Sequence, residues 1–108
     1  MTILNRQNLL AATSAASTGS WYPLDWRLDP GGVVRTITGT LTVGDTCILE
    51  ATNEAIYDSS GVAVSVSVIA SVTSFTTTPF VGQFSGQYSA VRIRKTGTTG
   101  PAIVNGII

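Results

Sequence analysis

A chain of 108 residues fits one domain and is long enough to bury a core without disulfide or metal staples. Six basic and six acidic side chains leave no net charge, which argues against an electrostatic draw to nucleic acid or anionic lipid, and the absence of His removes the usual acid–base group of neutral-pH catalysis. Charged residues make up only 11% of the chain and mean hydropathy is +0.33, so we expect part of the apolar surface to be covered in a homo-oligomer.

Residues Met1–Ser20 are small and polar, with Leu4, Leu9 and Leu10 as apolar points, and read as an extended or partly helical arm. Arg6 followed by Leu9, Leu10, Ala11 and Ala12 has some features of a secretory leader, but the apolar run is short and broken by Thr13 and Ser14, so we expect the arm to stay on the chain. Such an arm should order on a partner, and its removal should leave the body folded.

The body begins at Trp21. Trp21, Tyr22 and Trp26 form one aromatic cluster, closed by the turn signal Asp29-Pro30-Gly31-Gly32. From Val33 to Val43, Val33, Arg35, Ile37, Leu41 and Val43 alternate with Thr36, Thr38, Thr40 and Thr42, the pattern of a half-buried strand with Gly39 as a bend or bulge. Gly44-Asp45 reads as a hairpin turn into Thr46–Thr52, where Cys47, Leu49 and Ala51 point inward.

Asp58-Ser59-Ser60-Gly61 is a second turn, and Val62, Val64, Val66 and Val68 after it form the cleanest period-two run in the chain. A Thr-rich stretch, Thr73–Thr78, and the breaker Pro79 precede another alternating segment, Gln87–Lys95, which puts Arg92 and Arg94 on one strand face. Thr96–Pro101 is a Gly-rich loop, and Ala102–Ile108 is a closing strand expected to pair in a sheet or on a neighbour. Seven or eight short strands separated by turns predict an all-β fold, an antiparallel β-sandwich of jelly-roll or immunoglobulin-like type over residues 21–108, with residues 1–20 as its arm.

The chemistry-bearing residues point away from an enzyme. The carboxylates Asp25, Asp29, Asp45, Glu50, Glu54 and Asp58 fall mostly in or beside turns, and no compact Ca²⁺ loop occurs among them. Serine has no His partner and no nucleophile elbow, and Gly97-Thr98-Thr99-Gly100 lacks the Lys and the following helix of a phosphate loop. Cys47 reads as a small buried hydrophobe. We therefore expect no catalytic group, no cofactor and no metal. The candidate contact residues are Leu4, Leu9, Leu10, Trp21, Tyr22, Trp26, Arg92 and Arg94, with the two arginines placed to meet acids of a neighbouring chain or to form a plain solvated face, and the aromatics placed to pack over the sandwich edge, in a subunit contact, or to stack on a sugar ring.

From Gly39 onward, Gly39-Thr40-Leu41-Thr42-Val43, Ile48-Leu49-Glu50-Ala51-Thr52, Gly86-Gln87-Tyr88-Ser89-Ala90-Val91-Arg92-Ile93-Arg94 and the short apolar closing strand follow one another in an order that resembles small β-sandwich head decoration, or cement, proteins of tailed bacteriophages and related tail components. The resemblance spans roughly Trp21 to Ile108. It implies a non-enzymatic virion protein on the outer surface of the capsid, commonly a homotrimer, that clamps neighbouring copies of the major capsid protein, with no nucleic-acid or membrane partner. The alternative is a tail or fibre component whose β-sandwich binds glycans through Trp21, Tyr22 and Trp26.

Overall fold

The fold is an antiparallel β-sandwich. In the computed structural model, residues 5–24, 34–86 and 88–108 are described. Among them run nine strands and no helix: β1 (Arg6–Thr13), β2 (Ser17–Thr18), β3 (Tyr22–Pro23), β4 (Arg35–Thr40), β5 (Thr46–Thr52), β6 (Ala70–Phe75), β7 (Phe80–Phe84), β8 (Ala90–Thr96) and β9 (Ala102–Ile107). Sheet A has the order β1-β9-β4-β7, and sheet B has the order β2-β8-β5-β6, with β3 also on β8. The aromatic-to-turn segment from Asp25 to Val33, Trp26 included, lies outside the described residues, as do Leu4 and Gln87.

Alternation builds the core between the sheets. Ile37 from β4, Phe80 and Phe84 from β7 and Val104 from β9 meet Cys47, Leu49 and Ala51 from β5 and Val91 and Ile93 from β8. The Phe75 and Phe80 rings stack at 4.3 Å between centroids where β6 crosses to β7. Cys47 is fully buried and free, as its inward position requires.

Four local expectations change. The N-terminal stretch is extended, but Arg6–Thr13 is an edge strand of sheet A rather than a free arm: it pairs with β9 from Arg6↔Ile107 to Thr13↔Ala102, and Leu9 and Leu10 are buried in the core. A bulge between Asn8 and Leu10 lets both consecutive leucines turn inward, which strict alternation forbids. Gly44-Asp45 does turn the chain, with Asp45 N–H donating to Thr42 C=O at 3.0 Å, but it carries the chain from sheet A to sheet B instead of closing a hairpin. Gly39 marks no bulge, because its pairing to Phe80 and Val104 is in regular register. A Cβ there would sit 2.5 Å from the Ile103 carbonyl and 2.6 Å from the Phe80 ring, so a close approach requires the glycine.

The fourth change concerns Val62–Val68, which is extended but belongs to neither sheet. Among the described residues only one bridge, Tyr57↔Ala63, ties it to the rest of the chain as strand. β7, in turn, follows Pro79 where the sequence signals only a breaker.

Candidate assembly surfaces and the ionic groups behind them

The outer face of sheet B disposes of its charge internally. Glu50 on β5 stands directly opposite Arg92 on β8, two residue pairs along the ladder from Arg94. Arg92 Nε donates to Glu50 Oε1 at 2.8 Å, and Arg94 Nε donates to Oε2 at 3.0 Å. The arginines therefore pair with an acid of their own chain. Burial by itself pushes the Glu50 carboxyl up, and the hydrogen bonds and charges of Arg94 and Arg92 outweigh it, so the group is held below its ordinary value. The Arg92 guanidinium also lies over the Trp21 ring at 4.3 Å from its centroid, a cation–π contact that covers one face of the indole.

Beneath that face, at one end of the sandwich, Asp45 and Lys95 form a fully buried ion pair, Nζ to Oδ2 at 3.1 Å. Lys95 Nζ also donates to the carbonyls of Gly97 at 2.8 Å and Ser14 at 3.3 Å, and Asp45 accepts from the N–H groups of Thr99 at 3.1 Å and Gly100 at 3.2 Å. Burial pushes the Asp45 carboxyl up, but the hydrogen bonds from Thr99, Lys95 and Gly100 prevail and hold it at about 2. Gly97 adopts φ +88° with its α-carbon against this carboxylate, where a Cβ would strike Asp45 Oδ1. The pair thus joins the end of β1, the start of β5, β8 and the loop before β9. With every donor and acceptor engaged, it is a structural clasp and has no free group for chemistry.

Sheet A presents a different outer face. Register places Thr36, Thr38 and Thr40 of β4 beside Val81 and Gln83 of β7 and Ile103, Asn105 and Ile107 of β9. Arg6 and Asn8 of β1 complete it, so Arg6 is the only charge on this face among the described residues. Val81 is 71% exposed and Val34, just ahead of β4, is 54% exposed.

The residues singled out from the sequence are accordingly dispersed. Leu9 and Leu10 are core, not contact residues. Trp21 and Tyr22 alternate: Trp21 turns outward to Arg92, and Tyr22 packs against the core. Trp21 instead shares a shallow hollow of about 320 Å³ with Tyr57, Ile56, Ala63 and Val64. Sequence reasoning missed Glu50 and the Asp45–Lys95 pair, although parity held the signal: Asp45 is in phase with Cys47 and Leu49, and Lys95 with Val91 and Ile93, so two opposite charges had to face inward.

Among the described residues no group of three or more His, Cys, Asp or Glu side chains could hold a metal ion, and no helix is long and apolar enough to cross a membrane. No family model, no curated protein and no solved structure matches this chain.

Proposed function

We propose that the protein is a structural subunit of a phage virion, a capsid decoration protein that binds across neighbouring major capsid proteins on the outer surface of the head and stabilises the shell by mass action. The observation that carries the assembly part of this reading is an inversion of charge and apolarity: Arg35, Asp45, Glu50 and Lys95 are buried while Val43, Val68 and Val81 are each 71% exposed. A subunit that is covered on assembly gains about 1–2 kcal/mol for each such valine buried. The phage assignment itself rests on the sequence resemblance.

The outer face of sheet A is the capsid-facing surface in this reading. Among the described residues it is rich in Thr and aliphatic side chains and nearly free of charge, so docking desolvates few ions. It includes the closing strand expected to make contacts, while Leu9 and Leu10 of the arm serve the fold instead. Co-sedimentation of the purified protein with capsids stripped of their decoration tests the proposal. Stoichiometric binding that raises resistance to heat or low salt supports it, and absence of binding removes it.

A second reading, a glycan-binding tail or fibre component, is favoured by one feature, the hollow lined by Trp21 and Tyr57. Retention on a cell-surface glycan column that is lost in Tyr57→Ala, with no binding to heads, is the result that selects it.

A further inference from the structure

The sequence from Ser59 to Val91 has no charged side chain, and within it Val62–Val68 alternates strictly between Val and Ala or Ser. The fold leaves this β-prone stretch outside both sheets. Its inner edge is engaged: Val64 N–H donates to Ile56 C=O at 3.0 Å, and Asp58 N–H donates to Val62 C=O at 2.9 Å, which closes the Tyr57↔Ala63 bridge. In an antiparallel pair, bonds made by residues 62 and 64 leave the N–H and C=O of residue 63 pointing to the opposite edge, and those of residue 65 follow by alternation. Ala63 and Ser65 are exposed, and among the described residues their backbone groups have no hydrogen-bond partner.

A free edge of this kind is normally blunted by Lys, Pro or a bulge, and none of these occurs between Val62 and Val66. We propose that this edge is an interface between two copies of the chain, in which residues 62–66 pair antiparallel with the same residues of a second copy about a two-fold axis at Val64.

The sequence is self-complementary for that arrangement. With Val64 opposite Val64, Ala63 stands opposite Ser65 of the second copy, and Val62 stands opposite Val66. Ala63 and Ser65 then exchange four backbone hydrogen bonds across the axis. Every valine meets a valine, every small residue a small one, and no like charges oppose each other when identical segments meet. Val62 and Val64, 59% and 39% exposed in the single chain, would form one apolar row across both copies. A two-fold contact joins copies in pairs, whereas the family resemblance suggests trimers.

The inference rests on the reading of the protein as an assembling subunit and has its own test. Cys47 is the only cysteine and is fully buried, so Val64→Cys adds a single reactive thiol. Residues facing each other in a non-hydrogen-bonded antiparallel pair have Cβ atoms about 5 Å apart, close enough for a disulfide. Mild oxidation should link Val64→Cys into dimers roughly tenfold or more faster than the exposed control Val81→Cys, because pairing raises the effective thiol concentration. Light scattering should find the wild type dimeric and Val64→Lys monomeric with unchanged circular dichroism. The amides of Ala63 and Ser65 should exchange more slowly with deuterium in concentrated than in dilute protein. A wild type that is monomeric at all concentrations, equal cross-linking at positions 64 and 81, or a Val64→Lys dimer would each overturn the pairing. Dimers formed through Val64 that do not bind capsids would leave the pairing intact and remove the decoration role.

Discussion

Sheets A and B face each other across one core, yet their outer faces handle polarity in opposite ways. On sheet B, Glu50 is held by Arg92 and Arg94, and Arg92 is in turn covered by Trp21, so the charged side chains already have partners within the chain. On sheet A, threonines alternate with exposed Val81, Ile103 and Ile107, and Arg6 at one edge is the only described charge. Proximity of charges on a strand therefore does not mark a docking site when a cross-strand acid answers them. A nearly neutral face with exposed aliphatic side chains is the one left unfinished by folding.

Several variants break or sharpen that contrast. The largest effect is expected from deleting residues 1–20, which removes β1, the buried Leu9 and Leu10, and the Ser14 carbonyl that receives Lys95. We expect loss of the cooperative unfolding transition in urea, not the folded, arm-less body that the sequence alone suggests. Next, Lys95→Met leaves the Asp45 carboxylate buried without its cation and should cost about 3–5 kcal/mol in urea unfolding. Adding Asp45→Leu to it should recover only part of the loss, since the unpaired buried charge is removed but the Thr99 and Gly100 N–H groups lose their acceptor.

Glu50→Gln leaves two guanidinium groups side by side on the face of sheet B. Arg94 is 39% exposed, so water screens much of the repulsion, and a loss of about 1–2 kcal/mol is expected. Acid should act on the same groups. Asp45 is held at about 2 against an ordinary 3.8, and Glu50 is also lowered, so on acidification the unfolded chain takes up protons first. The stability these carboxyls contribute is whole above the ordinary carboxylate range and is lost as pH falls from about 4 through about 2, which a pH series of urea midpoints measures.

Much of the architecture was legible because alternation is a local signal. β4, β5, β8 and β9 follow from it, down to the inward Cys47, Leu49 and Ala51. What was not legible depended on distant partners. Val62–Val68 has the best strand pattern in the chain but finds no neighbouring strand among the described residues, while β7, carrying Gly82 and Gln83 between phenylalanines, is a strand because β4 pairs with it. The N-terminal strand reads as an arm because its sequence is short of apolar residues, and only pairing with β9 and the bulge at Leu9 bring its two leucines inside. The contact residues chosen from the sequence were three leucines, the aromatic cluster and two arginines. Of these, the described ones, Leu9, Leu10, Trp21, Tyr22, Arg92 and Arg94, are engaged within the chain, and valine and isoleucine are left outward.

The most direct test compares one lysine on each outer face. Val81→Lys lies on sheet A, and Ser74→Lys lies opposite Ile48 on sheet B; both positions are exposed, so each change should alter stability by no more than about 0.5 kcal/mol. In co-sedimentation with stripped capsids, Val81→Lys should bind at least about tenfold more weakly than the wild type, or about 1.4 kcal/mol, while Ser74→Lys binds as the wild type does. Equal binding by both variants, or a loss confined to Ser74→Lys, would contradict the assignment of sheet A as the capsid-facing surface.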